Sequence, residues 1–258
     1  AWLVARLKVG GAFSYADLRR EVGKFVGGKT AAGQAAQALR EIEQILTDAR
    51  AQEKEVPWTV GERTEYDVKF GPIKVGSGSM EVAGREMLRG EPVWHTVFRI
   101  KGGTFFYKGD DRMESWFTRD DLSTLRYIQD INEGSRDRTR TYEIFPERGV
   151  YVENENPETP TVENPLDDGS FIYFIRTTPL EVGKTYEYNR YFKPDRNPVR
   201  VQVLRKERVK VPAGEFDAIV VRPIIKARGV FSEDGKAELW FSDDERRIML
   251  QMKSKLSL

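Results

Sequence analysis

From Trp58 onward, apolar and polar residues alternate in stretch after stretch at a period of two, and this limits the fold more than any other feature. Tyr66, Val68 and Phe70 alternate with Glu65, Asp67 and Lys69. Val199, Val201 and Val203 alternate with Arg200 and Gln202. Ala237, Leu239 and Phe241 are separated by Glu238 and Trp240, and Ile248, Leu250 and Met252 run on through Leu256 and Leu258. A period of two puts successive side chains on opposite faces, so each strand turns one face to a core and the other to water, as antiparallel sheets do. Turn residues punctuate the pattern at Gly71-Pro72, Gly90 to Pro92, Gly102-Gly103, Pro212-Ala213-Gly214, Asp234-Gly235 and Ser242 to Asp244. About ten to twelve strands are expected, at spacings suited to a meander, barrel or sandwich. No strand–helix–strand rhythm is present, which argues against a doubly wound nucleotide fold. The expected fold is therefore mainly β: a large antiparallel sheet over residues 58–258, curved into a barrel or sandwich.

Residues 1–57 follow a different period and predict a helical N-terminal extension. Ser14 and Asp17 open like a capping box, Leu18, Val22 and Phe25 share one stripe, and Gly27-Gly28 ends the helix. After Thr30, Ala35, Ala38, Leu39, Ile42, Ile45, Leu46 and Ala49 recur at three- and four-residue spacing. Such a stripe must be covered, by its own domain or by a partner. Leu39, Ile42 and Leu46 are the candidate partner contacts.

Two stretches interrupt the sheet. Val152 to Pro165 carries three prolines and four glutamates and predicts an extended surface loop. Leu166 to Arg176 offers Asp167 or Asp168 as a cap before five consecutive apolar residues, which predicts one short inserted helix.

The chemistry open to the chain is narrow. It has no Cys and one His, so thiol nucleophiles, Cys-bound metals and multi-His metal sites are excluded, and no cofactor or metal site is expected. Net charge is +1, and residues 58–258 hold 33 basic and 34 acidic groups, so nucleic acid is not an expected partner. No apolar run reaches the length of a membrane span. His95 lies between Val93 and Val97 on one strand face and needs a carboxylate or carbonyl neighbour to act as a base. The pairs Asp110-Asp111, Asp120-Asp121, Asp167-Asp168 and Asp243-Asp244 all lie near predicted turns or a helix start, where aspartate serves the backbone. Arg190, Tyr191, Phe192, Lys193 and Arg196 interleave cations with aromatics in a proline-bounded loop; a protein contact and a solvated hairpin loop both account for them. Arg136 to Arg140 reads as the polar face of a strand. Phe105, Phe106, Tyr107, Trp116 and Phe117 either line a cavity for an apolar ligand or fill a core.

Several segments occur in an order that resembles a known family: VGERTEYDVKFGPIKVGSGSMEV (60–82), DDRMESWF (110–117), LDDGSFIYFIRTTPLEVGKTYEY (166–188), ERVKVPAGEFDAIVVRP (207–223) and AELWFSDDERRIMLQMKSKL (237–256). Together they resemble the exported bacterial proteins grouped as domain-of-unknown-function family 3108, over about residues 58–258. That resemblance implies a mostly antiparallel β fold and residence in the Gram-negative envelope; the expected location is the periplasm, with a place peripheral to a membrane as a further expectation. It implies no catalytic residues. The motifs also have local structural reasons: Pro212 and Gly214 suit a tight turn, and Gly76 and Gly78 let a strand bend or approach another backbone closely.

These observations lead to an expected function. The first reading is a non-enzymatic envelope β protein, an extrinsic binding or scaffold subunit of a larger, membrane-associated protein assembly. The second is a carrier of a lipid or other apolar ligand inside a curved sheet. The third is a carboxylate-dependent glycan hydrolase, which requires two acids facing one cleft.

Overall fold

A computed structural model describes residues 55–103, 108–133, 136–226 and 237–254, together with Arg40. Val56–Leu88 and Pro92–Leu258 form one compact unit, and Ala1–Glu55 with Arg89–Glu91 form a second. The expected helices of residues 1–57, with Leu39, Ile42 and Leu46, lie outside the described residues.

Thirteen strands and one α-helix are present among the described residues. The first sheet is a meander in which β1 (Arg63–Phe70), β2 (Ile73–Leu88), β3 (Glu91–Gly103), β4 (Lys108–Thr118), β5 (Thr124–Glu133), β6 (Arg136–Phe145), β7 (Val150–Glu153) and β8 (Thr159–Pro160) lie side by side in chain order. The second holds β9 (Thr185–Tyr188), β10 (Val199–Val211), β11 (Gly214–Ile224), β12 (Glu238–Ser242) and β13 (Met249–Lys253), again in chain order. Both sheets are antiparallel and mainly β is correct. Neither closes on itself, so the expected barrel does not hold and a sandwich or curved sheet fits.

Between the two sheets in sequence runs α1 (Asp168–Arg176). Of the two candidate caps the chain uses Asp167, whose Oδ1 accepts the amides of Gly169 (2.7 Å) and Ser170 (3.0 Å) while Ser170 Oγ accepts the Asp167 amide (2.9 Å). This reciprocal pairing satisfies donors that helix starts otherwise leave unpaired. Every residue from Ser170 to Arg176 is buried. A helix buried on all sides needs apolar cover all round. That cover is one continuous core, in which Phe171 to Ile175 pack with Val82, Trp94, Phe117 and Ile144 of the first sheet and Val201, Val221, Leu239 and Phe241 of the second. On the far side of the second sheet, Ala218, Val220 and Trp240 form a smaller cluster with Leu204, Val209 and Leu250.

Three local expectations change. In β13 Trp240 pairs with Gln251 and Phe241 with Met249, so Leu250 is an extra, bulged residue. The bulge reverses the expected alternation: Met249 and Met252 stand opposite the inward Phe241 and Leu239, and Leu250 joins the outer cluster. Within the segment expected as an extended loop, Val152 and Glu153 end β7 and Thr159–Pro160 form the short edge strand β8, while the other residues are turn, bend or irregular chain as expected. Asp110-Asp111 lies within β4 rather than in a turn. Gly76 meets its expectation, because a Cβ there would run into the carbonyl oxygen of Lys101 on β3.

Candidate functional site

Alternation fixes which side chains of the first sheet face inward, and registration stacks them in rows. Thr96 of β3 pairs with Ser115 of β4, Ser115 with Tyr127 of β5, and Tyr127 with Tyr142 of β6. The next row runs Phe98, Met113, Gln129 and Arg140, and beyond it Ile131 pairs with Arg138. These rows form one wall of a cavity of about 490 Å³. Ile172 and Tyr173 of α1 form a second wall, with Ile225, Met249 and Met252 from the other sheet. Residues 191–196 close the end nearest β6 with Tyr191, Phe192, Lys193 and Arg196. Arg138 is exposed and Met252 is 40% exposed, so the cavity opens to solvent at that margin.

The walls change character across the sheet. Near β3 and β4 they are Phe98, Ile100 and Met113; near β6 they are Arg138, Arg140 and Tyr142. Three inter-strand steps separate the two ends, roughly 14 Å.

The polar end is ordered by hydrogen bonds. Asp168 accepts the Tyr191 hydroxyl at Oδ1 (2.9 Å) and the Tyr127 hydroxyl at Oδ2 (3.1 Å). Gln129 Nε2 donates to the Tyr127 oxygen (2.9 Å), and Arg196 Nη1 to the Tyr191 oxygen (3.0 Å). Lys193 Nζ lies 3.5 Å from Glu153 and 4.7 Å from the centre of the Tyr142 ring, and Arg140 Nε lies 3.4 Å from the same glutamate. Burial holds the Lys193 amine below its ordinary value, helped by the charges of Arg196 and Arg140 and opposed by Glu153. Burial first, then the Glu153 charge, pushes the Tyr142 hydroxyl up to about 12.

The loop that supplies these groups is held at several points. Phe192 N donates to Leu166 O (3.0 Å), Thr161 Oγ1 to Phe192 O (2.7 Å), and Asn197 accepts from the Tyr191 amide (2.9 Å) while donating to the Tyr191 carbonyl (2.8 Å). Tyr191 and Phe192 are therefore buried in the wall and core, where their rings cannot meet a protein partner. Arg190 faces away from the cavity and ties two turns together, donating to Asn164 O (2.6 Å) and Asp121 O (2.8 Å). Lys193 and Arg196 are half-buried at the cavity.

Other sequence candidates fall elsewhere. His95 lies on the opposite face of β3 from Thr96, stacked on Trp116 at 4.3 Å with its nitrogens 2.9 Å from Glu86 and 2.8 Å from Glu114. It has carboxylate neighbours but no place in the cavity. Phe105, Phe106 and Tyr107 lie outside the described residues. Phe117 packs on Trp58 and Tyr173 in the core. Among the described residues lining the cavity Asp168 is the sole acid, so the paired carboxylates that glycan hydrolysis requires are not found there. The acids of Asp120-Asp121 and Asp243-Asp244 serve turns: Asp121 accepts from Thr118 and Ser123, and Asp244 from the amides of Arg246 and Arg247. Arg246 and Arg247 thus meet Asp244 through their backbone amides. Sequence reasoning missed Arg138 and Arg140 as lining residues. The signal was present, because they share the parity of the buried Tyr142 and Ile144.

Among the described residues no group of three or more His, Asp or Glu side chains is placed to hold a metal, and no helix is long and apolar enough to cross a membrane. No curated protein and no solved structure matches the chain. The model of the family described as "Protein of unknown function (DUF3108)" matches residues 65–258, and the chain belongs to that family.

Proposed function

We propose that this protein binds and carries a small molecule with an apolar body, held between the first sheet, α1 and β13. The observation that carries this reading is the cavity itself. Protein interiors pack at crystal-like density and leave few voids larger than a water molecule. A space of about 490 Å³ falls within the range of small-molecule sites, and its walls join an apolar surface to a large set of polar and charged groups. Well-formed strands surround it, so the space belongs to the fold rather than to a loose loop.

The reading as an extrinsic scaffold subunit rests on Leu39, Ile42 and Leu46, outside the described residues, and on loop residues that prove largely internal. Carriage therefore takes precedence over scaffolding here. Residence in the bacterial envelope is part of the same proposal, supported by the family resemblance and tested by fractionating cells that express the full-length protein. A non-enzymatic role is proposed with it, since a carrier has only to hold its cargo and release it unchanged.

Native mass spectrometry of the full chain, purified without detergent, tests the binding reading together with displacement of the neutral fluorophore Nile red by added apolar compounds. Binding is expected, and Met113→Trp, which projects bulk into the space from β4, is expected to abolish it while the chain stays folded. Retention of wild-type binding by a folded Met113→Trp variant would place the ligand elsewhere and overturn the reading.

A further inference from the structure

Resting on that reading, we infer that the ligand is an amphiphile with an acidic head, a carboxylate or phosphate monoester on an alkyl chain, and that the head lies at the β6 end of the cavity. Four cations meet there: Arg138 and Arg140 from β6, and Lys193 and Arg196 from the adjoining loop. Among the described residues, three carboxylates reach them. Glu153 is shared between Lys193 and Arg140, and Asp168 is linked to Arg196 through the Tyr191 hydroxyl. The third, Asp195, stands exposed beside Arg196, so one positive charge is left in excess.

Arg138 strengthens the inference because it is spare. It shares the inward parity of Tyr142, lines the opening, and has no hydrogen bond or ion pair among the described residues. Glu153 and Asp168 already use their oxygens on tyrosine hydroxyls and on ammonium or guanidinium groups, so unused donor capacity at this end belongs to cations. Arginine presents a planar fork of donors that matches carboxylate and phosphate oxygens. A cationic head would meet like charges here, and a neutral one would leave the excess unanswered. The opposite end offers a chain mainly apolar contact from Phe98, Ile100 and Met113, beside Thr96 and Ser115, whose hydroxyl is already spent on Asp167. Polarity therefore runs in one direction across the sheet, and it orients the molecule: head toward β6, tail toward β3.

The test compares chain-matched compounds on the full-length protein by Nile red displacement: dodecanoic acid, dodecyl phosphate, dodecanol and dodecylamine, with inorganic phosphate as the chainless control. The two acids are expected to bind at least about tenfold more tightly than the alcohol, a gap of about 1.4 kcal/mol. Dodecylamine is expected to be weakest among the chains, and inorganic phosphate should displace nothing at the same concentrations. Arg138→Glu, at an exposed position, and Lys193→Met are each expected to weaken the two acids more than dodecanol, and so to remove most of the gap. Equal affinity for acid and alcohol, or a preference for the amine, would overturn the acidic head while leaving apolar binding intact. Displacement by inorganic phosphate alone would show a free-anion site in its place. Failure of every chain to bind would instead refute the carrier reading beneath it.

Discussion

The guanidinium of Arg176 grips the carboxylate of Glu62 with both of its outer nitrogens, Nη1 to Oε1 at 2.6 Å and Nη2 to Oε2 at 3.0 Å, although 114 residues separate them. Their side chains are only 3% and 9% exposed. Arg176 also donates to the carbonyls of Arg246 (2.9 Å) and Pro57 (3.3 Å), and its charge lies 5.3 Å from the centre of the Trp58 ring. One side chain at the end of α1 thus joins the approach to β1 and the turn before β13. These are the segments that bring the edges of the two sheets to the helix.

A pair so buried is costly to break from one side. Arg176→Met is expected to lose about 3–5 kcal/mol, because the buried Glu62 then keeps only the exposed Arg246, 3.6 Å away, as a charged partner. Glu62→Gln combined with Arg176→Met should cost clearly less than the sum of the single changes. Urea unfolding of the four proteins measures this coupling, and strict additivity would show that the two groups do not act as a pair.

A second prediction concerns how closely α1 approaches the first sheet. A Cβ on Gly169 would stand 2.5 Å from Ser115 Oγ, the hydroxyl that donates to the Asp167 cap at 2.6 Å. Gly169→Ala should therefore destabilise by about 1–3 kcal/mol through overpacking, despite alanine's better helix propensity. In a Ser115→Ala background the same change should cost less, because the clashing oxygen is gone. Thermal unfolding compares the two backgrounds, and an equal penalty in both would sink this account of the contact.

Much of this architecture was legible from the sequence, for reasons that differ by element. The strands announce themselves because Val199, Val201 and Val203 all face inward with no irregularity, so period and burial agree. The cap of α1 was legible because it is local, three residues long. The β13 alternation was not, since a bulge at Leu250 depends on where β12 pairs and leaves no mark in composition. The cavity was hidden for the same reason. Arg138 looks like any surface arginine until β5 and the 191–196 loop are set beside it. Tyr191 and Phe192 looked like loop residues because the groups that draw them inward, Asp168 and Leu166, lie more than twenty residues upstream.

Arg190 separates the surface and internal readings of that loop directly. If it served a partner, its loss would leave the isolated chain's stability unchanged. Here it donates to Asn164 O and Asp121 O, and burial, only partly offset by Asp121, holds it below its ordinary value. Arg190→Met is expected to cost about 1–3 kcal/mol, the penalty for leaving the partly buried Asn164 carbonyl unpaired. A urea midpoint identical to wild type would restore the surface role.

The last prediction follows from Asp167, whose side chain is wholly enclosed. Burial pushes its carboxyl up to about 6, against hydrogen bonds from Ser115, Ser170 and Thr124. A carboxyl that binds its proton more tightly when folded stabilises the fold at low pH, and that contribution disappears as pH rises through its folded value. The span from an ordinary aspartate to about 6 corresponds to a contribution on the order of 2–3 kcal/mol. Asp67, Asp110 and Asp121, held below the usual carboxylate range, work in the opposite sense but at more acidic pH. The test is therefore a difference between two proteins. Asn at position 167 keeps an oxygen for the amides of Gly169 and Ser170, while its amide nitrogen donates to Thr124, so Asp167→Asn should fold. Relative to that variant, the wild-type chain should lose stability as pH rises from about 4 to about 6. A difference that stays flat over this interval, measured by urea unfolding, would mean that the hydrogen bonds to the ionised carboxylate outweigh its burial.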